Sequence, residues 1–527
     1  DPHPTNRRQR QMCIRDRIKQ LKRLNGMNIK NPHHKRTTVF TSLRKLLNNM
    51  EDLSKLSLID QINGLKSRKF SSMELTEFYL KKIDQEKALN SFISLNENAL
   101  KEAKKSDEKI AKNKNSSLEG IPIAHKDIFC IKDQITTCGS KMLENFVSPY
   151  SSTVYEKLSN SGTVNLGKTN MDEFAMGSSN ETSFFGNVLN PIDPERVPGG
   201  SSGGSASAVA ANLCSFATGT DTGGSIRQPA AFCGITGIKP TYGRVSRWGM
   251  IAFASSLDQG GIFAKNALDA ALALENIAGF DEKDSTSINT KVPSFLNEAK
   301  SKDKEHIVGI PKDIIEDIKD DKVKNNFYES LEILKKSGVK VKEIDLKNIQ
   351  YSLPVYYVIA PAECSANLSR YDGVRFGHRC DNPKDLEDLY ERSRAEGFGE
   401  EVKKRILIGT YCLSAGYYDA YYIKAQKIRN LIKQSFVNAF KEVSSIMMPT
   451  CANVSFKLNS IQNPVEMYEQ DIYTIPANLA GLPAISIPSG KIKKLPLGIQ
   501  FIGNYLEEGN LFNLSNKFQQ NSNFHNE

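Results

Sequence analysis

Two tracts crowded with glycine and serine decide the fold: Pro198-Gly-Gly-Ser-Ser-Gly-Gly-Ser205 and Thr220-Asp-Thr-Gly-Gly-Ser-Ile-Arg-Gln-Pro229. Eleven glycines fall between positions 199 and 249, a density that turns and tight packing alone can also explain. A second interpretation is chemical, because backbone N–H groups free of side chains can converge on an oxyanion. The predicted donors are the N–H groups of Thr222, Gly223, Gly224 and Ser225. A helix predicted over Ile226–Phe232 would add its positive end to this anion site.

A serine hydroxyl becomes a good nucleophile only when a base removes its proton. Outside the first 49 residues the chain has histidines only at positions 125, 306, 378 and 525, none beside an evident catalytic serine. Lys126 is the better candidate, because it follows the apolar run Ile121-Pro-Ile-Ala124. A free lysine has a pKa of about 10.4, so burial near positive backbone dipoles would have to keep it neutral. The hydroxyl of Ser201 can relay the proton. Taken alone, a lysine in a Lys-Asp pair is more often a surface residue.

Three of these elements together resemble the signature of the amidase signature family. They are the Lys126-Asp127 pair, the first serine of Gly-Gly-Ser201-Ser-Gly-Gly, and the serine of Gly-Gly-Ser225-Ile-Arg. The resemblance implies that Ser225 is the acyl-forming nucleophile and Lys126 the general base. It also implies that Ser201 is the serine that bridges these two residues, with an unusual cis peptide bond. It also implies an α/β fold: a single large α/β/α domain whose central mixed, twisted β-sheet is covered by helices on both faces.

Within this family the resemblance narrows to the A subunits of glutamyl- and aspartyl-tRNA amidotransferases, over roughly residues 50–515. Matching stretches include Gly167–Gly177 and Phe232–Ser246. The resemblance implies that glutamine is the ammonia donor and that Tyr356, Arg405 and Asp471 hold it. By charge, Arg405 suits the α-carboxylate and Asp471 the α-ammonium. Ordinary ion pairs and a core tyrosine are the structural alternatives for these three residues.

The same resemblance implies partners. It predicts a heterotrimer with amidotransferase B and C subunits, in which one of the partners uses ATP and Mg²⁺ to convert Glu-tRNA(Gln) to Gln-tRNA(Gln). Misacylated tRNA would be reached through the B subunit, and this chain would need no cofactor or metal of its own. We expect a cytoplasmic protein that binds neither DNA nor a membrane. The rivals are a free-standing amidase for small or fatty amides, which Arg405 and Asp471 disfavour, and a catalytically silent scaffold protein, which the intact triad disfavours.

Another motif points to a different function. The stretch Gly162-Thr-Val-Asn-Leu-Gly-Lys-Thr169 matches the phosphate-binding pattern GxxxxGK[ST]. That pattern requires a strand before the first glycine and a helix after the lysine. Here Val154–Ser161 is predicted as helix, and Val164 and Leu166 are typical of a strand. We therefore expect the order of elements to be inverted, with no nucleotide site.

The charge of the chain is concentrated at one end. The formal net charge is +10, but residues 1–49 hold 13 of the 70 Lys and Arg residues and two of the 60 acidic ones. The remainder therefore carries 57 basic and 58 acidic residues, a net of −1, which argues against a broad nucleic-acid surface. The string Arg7–Arg17 resembles translated adaptor sequence, so we predict a disordered or non-native leader and a start near Met50 or Met27. The alternative is an organelle transit segment, which would place the protein in the mitochondrial matrix.

The remaining sequence predicts one large domain over residues 50–527. Two amphipathic helices are expected over residues 50–90, the first ending at Gly64 and the second capped by Ser71. Short apolar runs predict strands at Ile121–Ala124, 307–311, 339–344, 446–449, 484–488 and 497–502, and residues 383–440 are predicted to be helical. No apolar run is long enough to span a bilayer. The nine cysteines lack metal-binding spacing and are expected to be free thiols.

Overall fold

A computed structural model describes residue 53, residues 55–302 and residues 304–526 of the chain. The predictions made for residues 1–49 lie outside these described residues. Residues Leu56–Glu527 form one compact unit.

The centre of this unit is a mixed sheet of eleven strands. Their order across the sheet is β1-β3-β2-β4-β6-β5-β10-β11-β9-β7-β8. The strands are β1 Phe92–Leu95, β2 Pro122–Lys126, β3 Val164–Thr169, β4 Ala217–Asp221, β5 Thr236–Lys239, β6 Gln259–Ala264, β7 Ile307–Pro311, β8 Lys340–Ile344, β9 Ser445–Pro449, β10 Ala484–Ile492 and β11 Leu495–Gly503. β2 pairs in parallel with β3 and β4, and β7 with β8 and β9, whereas the other pairs are antiparallel.

Helices connect the strands. They are α1 Leu58–Lys66, α2 Ser72–Gln85, α3 Ala99–Ala111, α4 Thr153–Asn160, α5 Gly203–Ala210, α6 Arg227–Cys233, α7 Ala267–Ile277, α8 Phe295–Lys300, α9 Lys312–Glu316, α10 Asp321–Lys336, α11 Ser352–Asn367, α12 Leu386–Gly397, α13 Glu400–Leu413, α14 Lys424–Ala439, α15 Pro464–Glu469, α16 Ile475–Ala480 and α17 Glu508–Gln520. Among the residues that the structure describes, no helix is both long enough and apolar enough to cross a membrane.

Strand β2 shows how helices cover both faces of the sheet. Successive side chains of a strand point to opposite faces. The ring of His125 packs edge-on against Tyr155 of α4, with the ring centroids 5.4 Å apart. The next side chain, Lys126, reaches Ser202, the N-cap residue of α5, on the other face. The predicted α/β fold with a mixed sheet between helices is therefore confirmed.

The strand predictions agree closely with the observed elements. The apolar run at residues 307–311 is β7, and the alternating run at 339–344 is the edge strand β8. The run Ile121–Ala124 becomes β2, which extends to Lys126. The predicted helical region at residues 383–440 contains α12, α13 and α14.

The first two helices give one success and one correction. Ser71 caps α2 through a capping box with Glu74, as its sequence predicts. The prediction that Gly64 ends the first helix is wrong, because α1 continues through Gly64 to Lys66. The glycine is required for packing instead: a Cβ at position 64 would lie 2.3 Å from the ring of Phe70.

Candidate active site

The last residue of β2, Lys126, lies at the centre of a buried cluster of hydroxyl groups. Its Nζ atom is 2.7 Å from Ser201 Oγ, 2.8 Å from Ser202 Oγ and 2.8 Å from Thr220 Oγ1. The side chain of Lys126 is completely buried. The sequence separations are large, so these contacts depend on the parallel pairing that places β4 beside β2.

Burial lowers the pKa of Lys126 from 10.5 to about 7, although the carboxylates of Asp172, Asp221 and Asp258 oppose the shift. A neutral amine has two N–H groups and one lone pair. Ser202 uses its own hydroxyl proton on the carbonyl oxygen of Thr220, 3.1 Å away, and therefore accepts from the lysine. The lone pair of the neutral amine can then receive the hydroxyl proton of Ser201, which is the contact that a proton relay needs.

Ser201 follows a cis peptide bond between Gly200 and Ser201, as the resemblance implied. The backbone N–H of Gly200 donates to the side-chain Oε1 of Gln228 at 3.0 Å. A Cβ at position 200 would lie 2.0 Å from Asp172 Oδ2, so only glycine fits at this point. These contacts fix the backbone that presents the Ser201 hydroxyl to Lys126.

Ser225 ends the loop that follows β4, and its exposed fraction is 8%. Within the described part of the chain, the backbone N–H groups of Thr222, Gly223, Gly224 and Ser225 donate to no acceptor. Side chains are excluded here: a Cβ at Gly223 would lie 2.8 Å from the Tyr356 hydroxyl, and one at Gly224 would lie 2.2 Å from Thr474 Oγ1. The loop therefore offers the bare main-chain donors that the glycine tract predicts.

The expected contribution of the following helix needs a correction. Helix α6 begins at Arg227, one residue later than predicted, and the carboxylate of Asp221 accepts the N–H groups of Ile226 at 3.2 Å and Arg227 at 3.4 Å. A buried ion pair joins Asp221 to the Arg227 guanidinium at 3.0 Å. The positive end of the helix is thus compensated by Asp221 rather than left for an oxyanion.

Arg405 projects from α13 and is 4% exposed. Its Nε donates to Glu401 at 2.8 Å, and its guanidinium carbon lies 5.6 Å from the ring centroids of both Phe253 and Tyr357. No acceptor among the described residues lies within hydrogen-bond distance of its two terminal nitrogens. These two nitrogens can bind a planar carboxylate in a bidentate manner.

Asp471 lies beyond α15, close to the nucleophile loop. Its Oδ2 accepts a hydrogen bond of 2.5 Å from Ser178, whereas its Oδ1 is buried and has no partner in the described chain. Oδ1 would be 3.2 Å from a Cβ at Gly224. Burial raises the pKa of Asp471 from 3.8 to about 7. A buried carboxylate oxygen without a donor is the group that a bound ammonium would satisfy.

Tyr356, on α11, completes this side of the site. Its hydroxyl approaches Gly223, and burial raises the pKa of the phenol well above its ordinary value. Tyr356 and Asp471 therefore lie against the same glycine loop. Arg405 packs against the ring of Tyr357, which in turn packs edge-on against Tyr356. A basic group beside Tyr357 and an acidic group beside Gly224 suit a zwitterionic amino acid.

Known proteins resemble this chain in sequence and in fold. A sequence model of the family described as Amidase matches residues 74–512. The chain belongs to the Amidase family. It is 57% identical over 472 residues to the A subunit of the Glutamyl-tRNA(Gln) amidotransferase of Nitrosococcus oceani, covering 89% of this chain and 98% of the relative. The corresponding protein of Coxiella burnetii is 58% identical over 468 residues, with 88% and 96% covered.

Solved structures of the Amidase family share the fold. The crystal structure of the Glutamyl-tRNA(Gln) amidotransferase A subunit from Thermotoga maritima has a TM-score of 0.75 and 41% identity, and the match covers 89% of this chain and 96% of that one. Native peptide amidase from Stenotrophomonas maltophilia has a TM-score of 0.75 at 28% identity, covering 88% and 96%. The same fold thus supports different amide substrates, so specificity must lie in particular side chains.

The nucleotide-binding pattern is a strand in this amidase, as its flanking residues predict. Gly167, Lys168 and Thr169 belong to β3, which follows α4. Lys168 forms a buried ion pair with Asp127 at 2.9 Å. Asp127 also accepts from the backbone N–H of Thr137 at 2.9 Å. Lys168 therefore stabilises the residue next to the candidate base.

His125, the residue before the candidate base, is a packing residue. Burial and the nearby Lys168 lower its pKa to about 3, so the ring is neutral. It lies against Tyr155 on the face of the sheet opposite to Lys126.

Several residues of the site were not predicted from the sequence. Ser202 and Thr220 contact Lys126 as closely as Ser201 does, and Ser178 contacts Asp471. The position of Ser202 beside Ser201 was a usable signal, because Ser202 directly precedes helix α5. Thr220 and Ser178 carry no local signal, since their partners lie 94 and 293 positions away.

No cluster of three or more His, Cys, Asp or Glu side chains within residues 55–302 and 304–526 is arranged to hold a metal ion. The eight cysteines of these residues are free thiols and buried.

Proposed function

We propose that this amidase is the glutamine-hydrolysing subunit of a tRNA-dependent amidotransferase. The observation that carries the proposal is the buried, unpartnered Oδ1 of Asp471 beside the loop of Ser225. An amidase for simple or fatty amides has no use for such a carboxylate, whereas the α-ammonium of glutamine satisfies it. The terminal nitrogens of Arg405 provide the matching group for the α-carboxylate.

In the proposed reaction Ser225 Oγ attacks the side-chain carbonyl carbon of glutamine. The hydroxyl proton of Ser225 passes to Ser201, whose own proton passes to the neutral amine of Lys126. The negative charge that develops on the carbonyl oxygen is stabilised by the N–H groups of residues 222–225. A fixed set of donors stabilises this charge more than the neutral ground state, which lowers the barrier.

Collapse of the tetrahedral intermediate breaks the C–N bond. The departing nitrogen takes the proton back from Lys126 through Ser201 and leaves as ammonia, so the lysine is neutral again. Water then attacks the γ-glutamyl ester while its proton passes through Ser201 to the neutral Lys126. The lysine returns that proton through Ser201 to Ser225 Oγ as the ester C–O bond breaks. The products are glutamate and the regenerated hydroxyl of Ser225.

We assign the ammonia to a partner protein of the same complex. The relatives are named as the A subunit of a Glutamyl-tRNA(Gln) amidotransferase. We infer that this chain belongs to a complex of the same kind. One of the B and C partner subunits would use ATP and Mg²⁺ to activate Glu-tRNA(Gln), which is reached through the B subunit, in the bacterial cytoplasm. Two observations support this division: Lys168 of the phosphate-binding pattern is committed to Asp127, and the chain beyond residue 49 is nearly neutral.

The test uses the full chain purified with the partner proteins that accompany it. Ammonia release is measured with glutamine, acetamide and a fatty amide, and amidation of Glu-tRNA(Gln) is measured with glutamine as donor. We expect glutamine to be preferred over both amides and Ser225→Ala to abolish release and glutamine-dependent amidation. Ser205→Ala, in the same glycine tract but bonded to the Thr218 carbonyl, is the matched control.

Two results would contradict the proposal. Equal hydrolysis of a fatty amide and glutamine would favour a free-standing amidase. Unchanged glutamine-dependent amidation by the Ser225→Ala complex would make the chain a silent scaffold.

A further inference from the structure

Asp471 is held by a serine, Ser178, that forms no hydrogen bond with Lys126, Ser201 or Ser225 in the described chain. Ser178 Oγ donates to Asp471 Oδ2 at 2.5 Å, and both side chains are at least nine-tenths buried. This hydrogen bond occupies one carboxylate oxygen and leaves the other, Oδ1, without a donor. The carboxylate can therefore turn only one oxygen toward the nucleophile loop.

The backbone of Ser178 is itself fixed by the relay segment. Gln228 donates from Nε2 to the carbonyl oxygen of Ser178 at 2.7 Å, and its Oε1 accepts from the backbone N–H of Gly200 at 3.0 Å. One glutamine of α6 thus connects Ser178 to the residue before Ser201. The Gln228 side chain therefore supports both the Asp471 side of the site and the proton relay.

A second support fixes the main chain near Asp471. The hydroxyl of Thr474 lies 2.6 Å from the carbonyl oxygen of Gly223 and 3.0 Å from that of Asp471. The main chain at Asp471 therefore cannot shift independently of the nucleophile loop. What remains free is the rotation of the carboxylate, and Ser178 is the residue that restricts it.

Resting on the proposed function, we propose that Ser178 is a positioning residue that makes the site specific for the α-amino group of glutamine. Its hydroxyl holds Asp471 with Oδ1 toward the substrate and favours the charged carboxylate. Loss of the hydroxyl lets the carboxylate rotate and protonate, which weakens the pairing with the ammonium. Catalysis at Ser225 does not depend on this contact.

The test compares two substrates that differ only in the group that Asp471 would bind. They are glutamine and glutaramate, which is glutamine without its α-amino group. For Ser178→Ala in the complete complex we expect kcat/KM for glutamine to fall roughly 10- to 100-fold, mainly through KM. The value for glutaramate should stay within about 2-fold. Ser179→Ala, the buried neighbour that is not among the described donors to Asp471, is the control.

A binding measurement removes the dependence on turnover. Glutamine and glutaramate are each titrated into the Ser225→Ala complex, with and without Ser178→Ala. Adding Ser178→Ala should weaken the binding of glutamine and leave the binding of glutaramate unchanged. An equal loss for both ligands, or no loss for either, would overturn the assignment. Retained glutaramate binding also shows that the variant is folded. If the wild-type complex hydrolyses no glutamine and its Ser225→Ala form binds none, the proposed function fails together with this inference.

Discussion

Lys126 Nζ lies 2.7 Å from Ser201 Oγ, and both side chains are wholly buried. This contact joins the end of a central strand to a loop 75 positions further along the chain. Burial keeps the lysine near neutrality, and the glycine loop around Ser225 supplies main-chain donors. We propose that Lys126, Ser201 and the loop of Ser225, which lie around β2 and β4, act as base, relay and anion site without a histidine.

Replacement of Lys126 should remove the base. We expect Lys126→Ala to lower kcat for glutamine hydrolysis by roughly 10²- to 10⁴-fold, the usual contribution of general acid–base catalysis. Lys126→Arg should be equally inactive, because a guanidinium stays protonated. Steady-state ammonia release measures the loss, and near-wild-type activity of the arginine variant would contradict the role of the lysine.

The pH dependence should show two ionisations. Catalysis needs neutral Lys126 and charged Asp471, and burial places both pKa values at about 7. Activity therefore falls as pH drops through this value, because protonation disables both groups. The charged groups that act on Asp471 are Asp221, which raises its pKa, and Arg405 and Arg227, which lower it.

A profile of kcat/KM against pH measures this effect. The logarithm of kcat/KM for glutamine should rise with a slope approaching 2 below pH 7, and the slope for glutaramate should be 1, since only the lysine then matters. A slope of 1 for both substrates would show that Asp471 does not titrate in this range.

The hydroxyls around Lys126 should differ in importance. Ser201→Ala removes the relay and should cost roughly 10²- to 10³-fold in kcat. Ser202→Ala removes an acceptor for the lysine N–H and the hydrogen bond to the Thr220 carbonyl oxygen but leaves the relay, and a loss of about 10-fold is expected. Parallel kinetics of the two variants test this order. A larger loss for Ser202→Ala would make Ser202 the relay.

The ion pair of Asp221 and Arg227 should be structural. Burial alone would raise the pKa of Asp221, but Arg227 outweighs it and holds the pKa below its ordinary value. Asp221→Asn leaves a buried, uncompensated guanidinium and should destabilise the chain by about 3–5 kcal/mol. This contribution is present at neutral pH and is lost as pH falls through the lowered pKa.

Urea unfolding monitored by fluorescence measures that loss. Glu332→Gln, which breaks an exposed pair with Lys335 of 2.7 Å, is the control and should change nothing measurable. An Asp221→Asn midpoint equal to that of the control would contradict the structural role.

Lys168 should affect stability and not nucleotide binding. Lys168→Ala leaves Asp127 buried without its partner and should cost about 3–5 kcal/mol. Equilibrium dialysis with ATP should give the same result for the isolated wild-type chain and for Lys168→Ala. ATP binding that disappears in Lys168→Ala would revive the phosphate-binding interpretation.

Much of the fold was predictable because its signals are local. The strand at residues 307–311 is a short apolar run, and Ser71 and Glu74 occupy the spacing of a capping box. Gly64 was misjudged because a glycine in a helix pattern usually marks its end. Here the ring of Phe70 occupies the space of the missing side chain, which only tertiary packing reveals.

The site divides in the same way. Lys126, Ser201 and Ser225 lie in distinctive sequence, and the structure brings Lys126 and Ser201 into contact. Ser178 and Thr220 were not predictable, since each is an ordinary polar residue whose role depends on a partner brought near by the sheet. Asp221 was also missed, because nothing local shows that its carboxylate turns back to cap the helix after Ser225.

The central claim is that Ser225 carries the acyl group. The most direct measurement is acid quenching of the complex during glutamine turnover, followed by peptide mapping of the intact chain by mass spectrometry. The account predicts a γ-glutamyl ester on residue 225 that is absent from Ser225→Ala and converted to the hydroxamate by hydroxylamine. A γ-glutamyl group on any other residue, or turnover of glutamine by Ser225→Ala, would contradict it.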